Sequence, residues 1–125
     1  MTVETVEKKR PLALLVEDDL MLANIFSTCV EKSGFETVVA NNGGVAVDLL
    51  ETITPDLFIL DLHVPIYSGD QILEKIKANS RFDHSRVILA TADARMADSL
   101  RSQVDFILDK PVSPRHLMRL IERLA

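Results

Sequence analysis

Apolar and polar positions fall in blocks along this chain. Five short runs rich in Val, Ile and Leu, at residues 12–16, 36–40, 57–60, 87–91 and 106–108, read as strands. Four of the five show almost no polar alternation, which is the pattern of strands covered on both faces, as in a parallel sheet. Between and after them the apolar residues lie three or four apart: Leu22, Ile25, Phe26 and Cys29; Ala46, Leu49, Leu50 and Ile53; Ile72, Leu73 and Ile76; Leu117, Leu120, Ile121 and Leu124. That spacing gives each segment one apolar stripe to bury as a helix. Gly34 suits the end of the first helix, Pro55 follows the second, and Ser113 with Pro114 reads as an N-cap followed by proline at the first helical position. A weaker helix over residues 95–101 fits between the fourth and fifth runs. Strand and helix alternating five times predict an α/β sandwich, doubly wound with right-handed crossovers. Residues 1–10, polar and without period, are expected to be a flexible N-terminal extension, and residues 11–125 the folded unit.

A chain of 125 residues has room for one domain. Apolar residues make up 47% and charged residues 26%, so a real core is expected. One cysteine, Cys29, cannot cross-link the chain to itself, and it sits on an apolar stripe where a thiol acts as a small hydrophobe. With no leader and no run of roughly 18 apolar residues, the expected location is cytoplasmic, without membrane insertion. The net charge is −5, which argues against attraction to phosphate backbones, and with no Trp, one Tyr and five Phe there is little to stack bases on. Direct nucleic-acid binding is therefore not expected. The charge is uneven: residues 11–61 sum to −8 and residues 62–125 to +2.

In an open parallel sheet, ligands bind beyond the carboxyl ends of the strands. There the first strand is followed by Glu17, Asp18 and Asp19, the third by Asp61, and the fifth by Asp109, Lys110 and Pro111; the fourth ends in Thr91. Two carboxylates about 4 Å apart repel by roughly 4 kcal/mol at an effective dielectric near 20, and Lys110 is the one nearby candidate counter-charge. A hard divalent cation neutralises such a cluster, and a site of two or three carboxylates that keeps its waters suits Mg²⁺. Zn²⁺ is disfavoured, because Cys29 lies within a helix and His63, His84 and His116 lack ligand-like spacing. A carboxylate beside Mg²⁺, a lysine and a threonine hydroxyl are parts for phosphoryl transfer, with Asp61 as the nucleophile and Lys110 and Thr91 as phosphoryl contacts.

On these residues the chain resembles a response-regulator receiver domain of two-component signalling, over about residues 11–125. The resemblance rests on V-E-D-D at 16–19, D-L-H-V-P-I-Y-S-G at 61–69, A-T-A at 90–92 and D-K-P at 109–111. It implies a flavodoxin-like five-stranded sheet of order 2-1-3-4-5 with helices on both faces. It also implies Asp61 as phosphoacceptor, Glu17 and Asp18 as the acidic pair holding Mg²⁺ with Asp61 and the backbone carbonyl of His63, and Thr91 and Lys110 as switch and phosphate-contacting residues. The implied donor is a histidine kinase or a histidine phosphotransfer protein. Such a domain catalyses only its own phosphorylation and dephosphorylation. His63 and Asp93, each two positions beyond a matched residue, are expected to tune phosphoryl lifetime.

Two departures bear on mechanism. Ile107 stands three positions before Lys110, where the family commonly has an aromatic residue coupled to the threonine. Phe106 beside it cannot substitute, because neighbouring positions in a strand face opposite ways. The stretch from Thr91 to Ile107 is shorter than usual by about one helical turn, ~3 to 4 residues, so the fourth helix is expected to be short and the partner face remodelled. The sequence stops after the fifth helix, giving an expectation of output by protein contact; Arg115, Arg119 and Arg123 on one helix face read as a solvated face or a docking surface for an acidic partner.

The leading expectation is a single-domain regulator phosphorylated on Asp61. The alternatives are a phosphate-independent receiver-like binding module, and a phosphorelay intermediate or phosphate sink. A phosphohydrolase of the haloacid dehalogenase type would need a second Asp where His63 stands. No G-x-x-x-x-G-K-[ST] or G-x-G-x-x-G motif is present to support a P-loop or dinucleotide enzyme.

Overall fold

The computed structural model describes residues 10–124. β1 (Leu12–Val16), β2 (Glu36–Ala40) and β3 (Leu57–Leu60) have the limits read from the sequence; β4 (Arg86–Thr91) starts one residue earlier and β5 (Phe106–Asp109) ends one later. All pairings are parallel, in the order β2-β1-β3-β4-β5. Five helices connect and follow them: α1 (Leu20–Lys32), α2 (Gly43–Leu49), α3 (Gly69–Lys77), α4 (Ala94–Ser99) and α5 (Pro114–Leu124). This is the flavodoxin-like arrangement.

Successive strand residues point to opposite faces, so each strand feeds two cores. Leu14, Phe58, Leu60 and Leu89 pack with α2, α3 and α4 through Ala46, Ile72, Leu73 and Ala97. Leu15, Ile59 and Ile88 pack on the other face with α1 and α5 through Phe26, Val30, Leu117 and Ile121. Ile107 joins the first cluster and Phe106 the second, so the two do face opposite ways.

The phase of α1 differs from the expected stripe. Ala23, Phe26, Cys29 and Val30 are buried, while Leu22 is half-buried and Ile25 is 39% exposed. Leu20, Met21, Leu22 and Ile25 are all apolar, so two overlapping stripes are available, and packing on β1 and against α5 selects between them. Cys29 lies in the core as expected, and burial pushes its thiol pKa up.

Several stops work as their residue types suggest. Gly34 closes α1 at φ +98°, donating its N–H to the Glu31 carbonyl while Phe35 donates to Val30, a paired C-terminal closure that favours glycine. Ser113 Oγ accepts from the His116 N–H ahead of Pro114. The fourth helix is short: α4 has six residues and a single 3-10 turn, Arg101–Gln103, follows it. Arg10 donates to the carbonyls of Glu31, Gly34 and Phe35. The rest of the expected extension, residues 1–9, lies outside the described residues.

Candidate functional site

The parallel ladder places the chemistry-bearing residues. Asp61 donates its N–H to the Val16 carbonyl at 3.1 Å, Glu17 to Ala40 at 3.1 Å, and Lys110 to Thr91 at 3.1 Å. Each residue is thus held just beyond the last rung of its strand, and all lie on one edge of the sheet. Asp19, one place further along, turns away: its carboxylate accepts the Leu22 N–H at 3.0 Å and caps α1. Asp18 remains exposed beside Glu17.

Lys110 is the hub of the cluster. Its Nζ donates to Glu17 Oε1 at 2.6 Å and to Asp61 Oδ2 at 2.8 Å. Carboxylate oxygens of Glu17, Asp18 and Asp61 lie within 4.8 Å of one another. Glu17 is 1% exposed, Asp61 7% and Thr91 fully buried. Burial pushes the Glu17 carboxyl above its ordinary pKa, against the lowering effect of the Lys110 hydrogen bond. Burial alone would lower the Lys110 ammonium, but its bonds to Asp61 and Glu17 outweigh that and raise it.

The His63 N–H donates to Asp61 Oδ1 at 3.2 Å, and the His63 ring donates from Nε2 to Asp93 Oδ2 at 2.8 Å. The other Asp93 oxygen accepts the Met96 N–H at 3.0 Å, capping α4, and the Asp93 N–H donates to Thr91 Oγ1 at 3.1 Å. The Met96 bond, followed by the His63 bond, holds the Asp93 carboxyl below its usual pKa.

Three carboxylates against one ammonium leave two formal negative charges on a donor set made wholly of oxygen. That chemistry fits Mg²⁺ held by Glu17, Asp18 and Asp61. Asp18 tests the fit, because it makes no side-chain hydrogen bond among the described residues and its substitution removes charge without orphaning a partner. Asp18→Asn is expected to raise stability by about 1 kcal/mol in chelator, the water-like limit for a charge pair at this distance, and to remove most of the stabilisation expected of millimolar Mg²⁺ in the wild type. Denaturation midpoints with and without the ion read both effects. An equal Mg²⁺ gain in the two proteins would remove Asp18 from the ligand set.

Residues 13–122 match the response regulator receiver domain. The chain belongs to that family. It is 32% identical over 108 residues to the polar-differentiation response regulator DivK of Brucella anthropi, a match covering 83% of this chain and 88% of that one. It is 35% identical over 109 residues to the Regulator of RpoS of Escherichia coli K12, covering 85% of this chain but 32% of that longer protein. Among solved structures, the receiver domain of the Francisella response regulator 1452 superposes with a TM-score of 0.79 at 28% identity, covering 91% of this chain and 95% of the other.

Three features of this receiver's pocket were not legible as sequence. Ile66 has φ +77°, and Tyr67 donates its N–H to the Pro65 carbonyl across it, making a tight three-residue turn that a β-branched residue rarely adopts. Nothing in the composition of the loop marks Ile66 for that conformation. Gly43 donates to the Pro65 carbonyl at 2.9 Å, and a Cβ there would overlap the Tyr67 carbonyl, so α2 starts against the loop after Asp61. The adjacent Gly-Gly pair is the signal that could have pointed to this approach. The third is the bond between His63 and Asp93: both residues stand out in the sequence, but their contact does not. The Lys75 ammonium lies over the Tyr67 ring, 5.3 Å from its centre, and ties the loop to α3.

Proposed function

We propose that this receiver takes a phosphoryl group from a phosphohistidine onto Asp61 and signals by altered protein contacts. The observation carrying this reading is the Asp61 carboxylate itself, bonded to Lys110 at 2.8 Å, ringed by Glu17 and Asp18, and placed at the sheet edge beside Thr91. In the transfer an Asp61 oxygen attacks phosphorus, a new P–O bond forms, and the P–N bond to the donor imidazole breaks with the electron pair leaving on nitrogen. The donor is a histidine kinase or a histidine phosphotransfer protein.

Lys110 already touches the acceptor carboxylate and so is within reach of a phosphoryl oxygen once one is attached. Thr91 Oγ1 accepts from the Asp93 N–H, which leaves its own proton free to donate to a second oxygen. Glu17, Asp18, Asp61 and the backbone carbonyl of His63 would hold Mg²⁺, whose contribution is charge neutralisation at the phosphoryl oxygens. The chain catalyses only its own phosphorylation and dephosphorylation, and its setting is cytoplasmic. Among the described residues no helix is long and apolar enough to cross a membrane.

Ile107 favours a second reading, a phosphorelay intermediate or phosphate sink, because a relay needs phosphoryl flow and no aromatic switch on β5. Reverse transfer from the labelled protein to a histidine donor separates the two.

The direct test is intact mass after incubation with acetyl phosphate, with and without Mg²⁺, for the wild type and Asp61→Asn. A gain of one phosphoryl mass that needs both Mg²⁺ and Asp61 is expected. An equal gain in Asp61→Asn, or none where another receiver labels, would overturn the proposal and leave the phosphate-independent binding module as the reading to pursue.

A further inference from the structure

Among the described residues, the loop that carries Asp61 and the segment that contains α4 are joined by a single polar link. Between residues 61–68, the loop that carries Asp61, and residues 92–104, which contain α4, the described residues make one hydrogen bond: His63 Nε2 to Asp93 Oδ2 at 2.8 Å. At one end of this link the His63 N–H donates to Asp61 Oδ1. At the other end the second oxygen of Asp93 caps α4 through the Met96 N–H, and the Asp93 N–H holds the Thr91 hydroxyl. Asp93 is therefore a three-way node between the phosphoacceptor loop, the strand-four hydroxyl and the first turn of α4.

The route on the other side of Thr91 carries no such directional contact. Ile107 is half-buried in the same apolar cluster as Met96, Leu100 and Val104, and its side chain has no group that can bond a hydroxyl. Apolar packing of this kind transmits volume but not the position of one hydrogen-bonding atom. The six-residue α4 is also too short to hold itself by its own helical bonds, so its first turn depends on the cap.

We infer that the His63–Asp93 hydrogen bond is the element that couples the state of the Asp61 pocket to α4 in this protein. His63 is on this account a positioning residue: it acts on α4 through Asp93. When the oxygens around Asp61 change, the backbone of His63 is the first to feel it, and the ring passes that shift to the carboxylate that caps α4. The coupling to phosphorylation rests on the reading of Asp61 as phosphoacceptor; the mechanical tie between His63 and α4 does not.

The test is amide hydrogen exchange of the segment spanning residues 92–100, followed by mass spectrometry. It compares the wild type, His63→Ala and His63→Gln, first unmodified and then in steady state with acetyl phosphate and Mg²⁺, with intact mass read in parallel. In the unmodified state His63→Ala is expected to exchange roughly two- to fivefold faster there, the size of one partly exposed hydrogen bond. His63→Gln, which keeps a donor, should move back toward the wild type. In the labelled state, with acetyl phosphate adjusted until intact mass gives the two proteins the same phosphoryl occupancy, the exchange of this segment should shift in the wild type and stay put in His63→Ala, which keeps the backbone carbonyl at that position. Unchanged exchange in unmodified His63→Ala, or an equal shift on labelling with and without the histidine, would overturn the coupling. Failure of the wild type to gain mass would overturn the phosphoacceptor reading instead, and the unmodified comparison would still decide the tie.

Discussion

Lys110→Met is expected to destabilise the protein by about 3 kcal/mol in Mg²⁺-free buffer at neutral pH, lowering the melting temperature by roughly 11 °C. Methionine keeps the length and apolar stem of lysine, so packing is nearly preserved and the loss is electrostatic. What remains is Glu17, almost fully buried, facing Asp61 with no cation between them. Removing one partner of a buried pair costs about 3 to 5 kcal/mol, and the lower figure applies because Asp18 opens the cluster to water on one side. The sign of the pH dependence follows from Glu17. Its carboxyl is already raised by burial and loses the hydrogen bond that opposed the rise. The folded variant then binds a proton more readily than the unfolded chain, so its deficit is largest above the raised value and shrinks as pH falls through it. Millimolar Mg²⁺ should recover part of the loss, since a divalent cation takes over the neutralising role. Urea midpoints across pH, with chelator and with Mg²⁺, measure all three effects, and a variant as stable as the wild type in chelator would refute the account. On the proposed function, phosphoryl transfer to Asp61 should fall at least about 100-fold, the usual effect of losing one preorganised charge contact.

Gly69→Ala carries the second largest expected effect, by a steric route. Gly69 opens α3 eight residues after Asp61 and donates its N–H to the Leu62 carbonyl at 2.9 Å. A Cβ at this position would overlap the Asp61 carbonyl and stand 2.7 Å from Leu62 Cα. Both obstacles are backbone, and both belong to the segment that presents Asp61. The chain can respond only by moving α3 or the Asp61 loop, at a cost of about 2 to 3 kcal/mol, the upper part of the range for overpacking a buried site. Mg²⁺-induced stabilisation should fall with it, since displacing Asp61 removes one of three carboxylates. Gly34→Ala is the matched control. It meets no atom within 4 Å but sits at φ +98°, so its cost is backbone strain of about 1 kcal/mol with no effect at the pocket. Equal loss of Mg²⁺ response in the two variants would argue against a local displacement of Asp61.

Much of the architecture was readable without coordinates because a buried parallel strand advertises itself. The runs that became β1 and β3 begin and end where the apolar residues do, and parallel pairing left no freedom to slip, since a one-residue shift would turn Leu14 and Leu15 to the wrong faces. The acidic edge was legible for the same reason: Glu17, Asp18, Asp61, Thr91 and Lys110 each close or follow a strand, and strands in one parallel sheet end on one side. The face of α1 was not legible. Leu20, Met21, Leu22 and Ile25 crowd its first two turns, and hydrophobicity alone does not say which of them the sheet covers.

Tertiary structure decided whatever depends on residues far apart in the chain. Lys110 meets Glu17 across 93 positions and Asp61 across 49, and His63 meets Asp93 across 30. No local pattern encodes those distances; they follow from how strand ends and loops stack once the sheet is assembled. The left-handed Ile66 is of the same kind, an unfavourable local conformation held by contacts of Gly43 and Tyr67 with Pro65 on either side. Strand identity, sheet class and the acidic edge belong to the sequence, because they rest on residue type and spacing. The bonds that bring the pocket together belong to the fold, because each is the meeting of two segments that only packing makes neighbours.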